Sequence, residues 1–283
     1  MWIDLYYFLQ FQPDYIYFWA KNAVWNKSTS VREKKIYFAS DFHLGAPDPE
    51  KSRQREKLIC RWLEEIKPDA QVIFLVGDLF DFWFEHKRVI PKGYSRLFGK
   101  LAELTDAGIR LIIFQGNHDM WMRDYFHQEF GAEIYREPRE YLVAGKRLYV
   151  GHGDGLGPGD RTYKFLKLIF ESRLCRWLFR KLLHPDFSLW LGYTWAGNSW
   201  KRHDKEEDYA RFTHKEKELL YLYSMEEEEK EHRDYYIFGH RHQKLDIPLT
   251  ANSRYINLGD WIRFFSYAVF DGEEMQLKKY NFM

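Results

Sequence analysis

The sequence has little cysteine, no excess of either charge and no long apolar run, and each shortage removes a class of function. Its two cysteines, Cys60 and Cys175, stand far apart with no CxxC, which excludes a disulfide framework and a thiolate zinc ribbon. As buried thiols both suit a reducing cytosol. The 43 basic and 42 acidic residues leave a net charge of +1, so no global field draws nucleic acid to the surface. The glycine-rich "GDGLGPGD" fits neither the Walker A pattern nor G-x-G-x-x-G, and no serine or cysteine nucleophile motif occurs. Within the aromatic opening, residues 1–33, Asp4, Asp14 and Lys21 interrupt the chain before the ~20 apolar residues of a spanning helix, and no basic n-region follows signal-peptide order. This extension reads either as an interfacial anchor or as a poorly ordered segment upstream of a domain that starts near Val31.

What the chain does have is core material: 45% hydrophobic and 19% aromatic residues in 283. That suits one layered α/β domain over residues 34–283, with an insertion at about 160–230, better than two domains. From residue 34 the rhythm is regular. "KKIYFAS" predicts a strand ending in "DFHLG". "REKLICRWLEEI" has helical spacing, with Leu58, Trp62, Leu63 and Ile66 on or near one face. "QVIFLV" predicts a second strand ending in "GDLFDFW", "SRLFGKLAELTDAG" a helix, and "RLIIFQ" a third strand ending in "GNHD". Strand, polar loop, helix, strand is the βαβ order of a largely parallel sheet, in which ligands gather at the carboxyl ends of the strands.

The polar clusters sit at those ends. Asp41 and His43 follow the first strand, Asp78 the second, Asn117 and His118 the third; His152 in "YVGHGD" and His240 with His242 in "YYIFGHRH" follow later ones. If the backbone is extended there, residues i and i+2 point the same way, so Asp41 with His43, and His240 with His242, aim into one site. An isolated D-x-H or H-x-H is more often a turn, but five clusters at five strand ends are difficult to obtain by chance. Imidazole, carboxylate and amide oxygen without thiolate suit Mn²⁺, Fe²⁺, Zn²⁺ or Mg²⁺. Seven candidate ligands are too many for one ion and suit two, with Asp78 the natural bridge. Two ions ~3.5–4 Å apart clamp a phosphoryl group and hold a hydroxide for in-line attack.

The series "DFHLG", "GDLFDFW", "GNHD", "GHGD" and "GHRH" resembles the calcineurin-like metallophosphoesterases, in that family's order, over residues 36 to about 270. The resemblance implies a four-layer αββα sandwich, its second sheet built from "KRLYVG", "DYYIFG", "RYINLG" and "SYAVFD". It implies two divalent ions, manganese first among them, with Asp41, His43, Asp78 and His242 on one and Asp78, Asn117, His152 and His240 on the other. It implies that His118 acts over the phosphate as a catalytic group and that Asp119 orients its ring, while Gly116 lets the chain turn sharply. Within the family the spacing of "HGDGLGPGDRTY" and the long insertion resemble the branch that cleaves UDP-2,3-diacylglucosamine to UMP and a diacylglucosamine 1-phosphate in lipid A synthesis. That likeness adds Asp160, Asn198, Ser199 and Lys201, with Asn117, His118 and His240, as substrate contacts. It also implies a cytoplasmic protein peripheral on the inner face of the inner membrane. The branch's pattern reads G-N-R-D where this chain has His118.

The insertion interleaves Phe165, Leu168, Ile169, Leu178 and Leu182 with Lys164, Lys167, Arg173, Arg176, Arg180 and Lys181, a basic amphipathic stretch. Such a stretch fits a helical lid over a lipid-linked nucleotide, an anionic membrane surface, or a core-packing hairpin with solvated cations. Three functional readings stay open on the residues alone. They are a lipid-nucleotide pyrophosphatase, a soluble phosphomonoesterase or phosphodiesterase of nucleotides or phosphoproteins, and a non-catalytic binding module. The oligomeric state is left open.

Overall fold

The computed structural model describes residues 34–86, 88–157, 172–182, 184, 186–194 and 218–282. The extension over residues 1–33 lies outside them, as do Asp160, Asn198, Ser199, Lys201, Phe165 and Leu168.

The first sheet contains β1 (Lys35–Ala39), β2 (Ala70–Val76), β3 (Arg110–Phe114), β4 (Glu133–Tyr135), β10 (Ser266–Phe270) and β11 (Met275–Lys279), in the order β11-β10-β1-β2-β3-β4. The run β1 to β4 is parallel, and β10 and β11 add antiparallel. The second sheet contains β5 (Arg139–Val143), β6 (Lys146–Gly151), β7 (Tyr235–Phe238), β8 (Lys244–Pro248) and β9 (Arg254–Leu258), in the order β5-β6-β7-β9-β8. Its centre, β6-β7-β9, is parallel.

Alternation along the strands separates the layers. Ile36, Phe38, Val72, Phe74, Ile112 and Phe114 of the first sheet meet Leu148, Val150, Ile237 and Ile256 of the second in one buried cluster. On the other face of the first sheet, Tyr37, Ile73, Leu75 and Ile113 pack against helices α1 (Pro49–Ile66), α2 (Ser95–Asp106) and α3 (Tyr125–Phe130). Tyr236, Phe238 and Tyr255 on the far face of the second sheet hold Leu220 of α6 (Leu219–Lys230). Helix, sheet, sheet, helix is the sandwich the family resemblance implied. Along the chain between β6 and α6, the range expected to form the insertion is described in two pieces, α4 (Arg173–Leu182) and α5 (186–194). Helix α6 falls inside the range assigned to the insertion, and its Leu220 belongs to the outer layer.

Two expectations need correction. "SYAVFD" is β10 of the first sheet, paired antiparallel with β1, and not a strand of the second. It is apolar on both faces, with Ala268 and Phe270 turned to the inter-sheet core and Val269 to the helices, so its sequence carries no mark of which sheet it joins. Helix α1 starts at Pro49, before the predicted "REKLICRWLEEI", because Asp48 caps it by accepting a bond from Lys51 N at 2.9 Å. Its buried stripe uses Ile59, and Leu58 is only half-buried.

Candidate metal centre

The carboxyl ends of β1, β2, β3, β6 and β7 bring the seven candidate ligands to one place. The backbone reaches it by an unexpected route. Asp41, His43, Asp78, His240 and His242 all have positive φ, between 42° and 66°, and they make up five of the eight such non-glycine residues described. The extended backbone assumed for D-x-H and H-x-H is therefore not what aims these side chains. Left-handed conformations cost about 1 kcal/mol or more each, and five of them approach the net stability of a small domain, so the surrounding contacts must over-determine them. They do: Asp41 N donates to Gly77 O at 3.0 Å, His43 N to Asp78 O at 2.9 Å, and His240 N to the Asp41 carboxylate at 3.0 Å.

The glycines serve close approach. A Cβ on Gly116 would lie 2.1 Å from Asp78 Oδ1, and one on Gly239 would lie 2.5 Å from Asp41 Oδ2. Gly116 has no positive φ, so the sharp turn expected of it is not its role; the carboxylate of Asp78 occupies the space a side chain would need.

Two groups of ligand atoms result. Asp41, His43 and His242 form one, and Asp78, His152 and His240 the other, while His43 also groups with Asp81 and His118. In the first, His43 Nε2 lies 3.2 Å from His242 Nε2 and 3.6 Å from Asp78 Oδ2, and His242 Nε2 lies 3.4 Å from Asp41 Oδ1. In the second, His152 Nε2 lies 3.3 Å from both Asp78 Oδ2 and Asn117 Oδ1, and His240 Nδ1 lies 2.9 Å from Asn117 Oδ1. Neighbouring histidines of "GHRH" thus serve different groups. Asp78 Oδ1 accepts from His118 N at 2.9 Å, which leaves Oδ2 as the oxygen that faces both groups. Asp41 Oδ1 is fully buried and accepts no hydrogen bond among the described residues, an acceptor whose natural partner is a cation. The donor set and this oxygen fit divalent metal ions.

Electrostatics agree. Burial pushes the His43 imidazole down, but Asp41, Asp81 and Asp78 outweigh it and raise its pKa to about 10. His152 is likewise lowered by burial and raised more by Asp78 and Asp41, to about 10. His240 is pushed down to about 3, first by burial and then by His152. Asp41 and Asp78 stay below the usual carboxylate range because the histidines outweigh the opposing effect of burial.

His118 lies beside these groups, its ring centroid 4.7 Å from that of His43, and burial lowers its pKa. Its Nδ1–H donates to the carbonyl of Asp81 at 2.8 Å. Asp119, expected to orient this ring, does something else. Its carboxylate accepts from Leu79 N at 2.8 Å and Gly116 N at 2.7 Å, tying the loop after β3 to the loop after β2. The orienting role belongs to Asp81, whose carboxylate also lies 3.5 Å from His43 Nδ1.

Asp81 and Asp260 were not among the expected site residues. Asp260 Oδ2 lies 3.3 Å from His242 Nδ1, and its other oxygen accepts from the N–H groups of Ile262, Arg263 and Phe264. Each has a signal in the sequence: Asp81 is the second acid of "GDLFDFW", and "NLGDW" repeats the strand, glycine, acid pattern that singled out Asp78. His152 is backed differently, its Nδ1–H donating to Val76 O at 2.8 Å. Such outer partners fix the tautomer and direction of an imidazole ligand.

The insertion touches this region. Phe179 of α4 packs on Phe84 and Trp121, at ring-centroid distances of 4.9 and 4.7 Å. In α5 the Tyr193 hydroxyl lies 3.3 Å from that of Tyr94, which donates to Leu44 O in the His43 loop.

The family model for calcineurin-like phosphoesterases matches residues 34–244. The chain is 36% identical over 254 residues to the UDP-2,3-diacylglucosamine hydrolase of Porphyromonas gingivalis, covering 86% of this chain and 97% of that protein. The enzymes of the same name from Aeromonas salmonicida and Neisseria meningitidis serogroup B match at 29% and 30% identity over 145 and 143 residues. Those matches span about half of this chain, and 55% and 58% of the relatives. The chain belongs to the calcineurin-like phosphoesterase family.

Proposed function

We propose that the chain hydrolyses UDP-2,3-diacylglucosamine to UMP and 2,3-diacylglucosamine 1-phosphate, at a centre of two divalent ions of which manganese is the first choice. The observation that carries the substrate is the likeness to the Porphyromonas gingivalis enzyme over 97% of its length, a span that includes the insertion between "GHGD" and "GHRH".

Asp41, His43, Asp78 and His242 would hold one ion, and Asp78, Asn117, His152 and His240 the other. Bound there, the ions would supply Lewis acidity toward the phosphoryl oxygens and activate a water at neutral pH. The chain's own residues do the rest. Asp78 keeps the two sites in fixed relation, because one oxygen is anchored to the His118 amide while the other faces both groups. Asp81 and Asp260 hold His43 and His242 in direction. With Nδ1–H committed to the Asp81 carbonyl, Nε2 is the His118 nitrogen left for a leaving phosphate oxygen, and it donates only as the imidazolium, which carries a second proton there. The net reaction breaks one bond between phosphorus and the bridging oxygen of the pyrophosphate: the attacked phosphorus gains the oxygen of one water, and the departing phosphate keeps the bridging oxygen and gains a proton.

The membrane-facing part of the reading draws on Trp177, Leu182, Phe187 and Trp190, all about half exposed or more on α4 and α5. No helix among the described residues is long and apolar enough to cross a membrane. Contact with the inner face of the inner membrane would be peripheral, with anionic lipid attracting the basic residues of the insertion.

The test is turnover of UDP-2,3-diacylglucosamine with Mn²⁺, read as UMP and lipid phosphate, beside a nitrophenyl phosphodiester. The Phe165→Asp, Leu168→Asp double variant should raise KM strongly for the lipid and leave the small diester nearly unchanged. Turnover of nucleotides or nitrophenyl esters without the lipid would replace the proposal with a soluble phosphoesterase.

A further inference from the structure

Arg136 follows the short strand β4, and the expected ligand set gives it no part. Its guanidinium spans two loops. Nη1 and Nη2 donate to Asp154 Oδ1 and Oδ2 at 2.8 and 2.6 Å, a bidentate pair. Nη1 also donates to Gln115 O at 2.9 Å and reaches Gly116 O at 3.4 Å. Asp154 is 4% exposed, so this carboxylate is paired inside the protein.

The location of these partners gives the pair its meaning. Gln115 and Gly116 immediately precede Asn117, on the loop that leaves β3 of the first sheet. Asp154 follows His152 by two residues, on the loop that leaves β6 of the second sheet. One side chain therefore joins the sheets where two ligands of the second group come from opposite sheets. Among the described residues, the Asn117 amide oxygen meets its partners across this seam, at His152 and His240. A small separation of these two loops would draw Asn117 away from His152, whereas the first group, Asp41, His43 and His242, spans the sheets from other loops.

We propose that the Arg136–Asp154 pair is a positioning clasp for the second ion, holding Asn117 and His152 in register across the two sheets. The inference rests on the two-ion reading above. Lysine cannot reproduce it, since a single ammonium cannot bind a carboxylate in bidentate fashion and reach two carbonyls from the same plane.

The experiment is titration of metal-free protein with Mn²⁺ alone, by calorimetry and by elemental analysis after gel filtration, together with thermal melting of the metal-free protein. Two variants are compared with wild type: Arg136→Lys, and Arg136→Met combined with Asp154→Leu, which removes both charges so that neither is left buried and unpaired. The expected result is a second-ion affinity reduced about 10–100-fold, with the first-ion affinity and the metal-free melting temperature unchanged in Arg136→Lys. Unchanged affinity for both ions, or equal losses at both, would overturn the proposal and leave the pair a purely structural bridge. Wild-type protein that takes up only one ion would fail the two-ion reading itself, a result separate from any effect of the variants.

Discussion

The two ligand groups share Asp78 and differ in what stands behind them. In the first, His43 is backed by Asp81 at 3.5 Å and His242 by Asp260 at 3.3 Å, with Asp41 as a further carboxylate. In the second, His152 is backed by a carbonyl, Asn117 is neutral, and the nearby charge of Asp154 is taken up by Arg136. The difference teaches that a symmetric ligand count can conceal an asymmetric field. The first position is rich in negative charge and held by carboxylate–imidazole pairs. Both span the two sheets, but the second does so with a neutral amide and an imidazole backed by a carbonyl. The account therefore expects the first ion to bind more tightly and the second to exchange first.

The most disruptive way to break the comparison is Asp78→Ala. Because Asp78 Oδ2 faces both groups, this change should abolish uptake of both ions and with it measurable turnover, whereas His242→Ala should mainly weaken the first. Elemental analysis separates the two outcomes, and full occupancy in Asp78→Ala would remove the bridge. Next in size is His118→Ala. As a donor that is not a ligand, its loss should leave metal content intact and lower kcat by roughly 10²–10⁴. Departure of the metal in that variant would show that the role is misassigned.

A smaller effect sharpens the asymmetry. Asp260→Asn removes the charge behind His242 and should weaken the first ion by about 10–100-fold while leaving the second in place, measured by Mn²⁺ titration. Weakening of the second ion instead would contradict the division of the groups. The smallest effect is on pH. With pKa values raised to about 10 in the metal-free centre, His43 and His152 are protonated at neutral pH, and each must lose its proton to bind. Affinity should fall as pH falls, by up to about tenfold per unit for each proton displaced, with proton release detectable on metal addition in weakly buffered solution.

Much of this centre could be read from the chain because its logic is local. An apolar run followed by Asp, Asn or His marks a strand end that carries a ligand, and all seven expected ligands lie in the two groups or beside them. What could not be read depended on contacts distant in sequence. The left-handed backbone of Asp41, His43, His240 and His242 is imposed by neighbouring loops, so an extended i, i+2 geometry is not what aims them, although His242 and His240 fall in the two groups that the family resemblance implied. Asp119 follows His118 directly, yet the ring is held by Asp81 from another loop. Likewise β10 joins the first sheet because β1 offers a free edge, which nothing in "SYAVF" records.

The central claim is that one carboxylate oxygen of Asp78 is shared by two ions of unequal affinity. Crystals grown with Mn²⁺ and measured at its absorption edge test this directly. Two anomalous peaks ~3.5–4 Å apart are expected on either side of Asp78 Oδ2, the weaker beside Asn117, His152 and His240. A single peak, or two peaks of which only one lies next to Asp78, would contradict it.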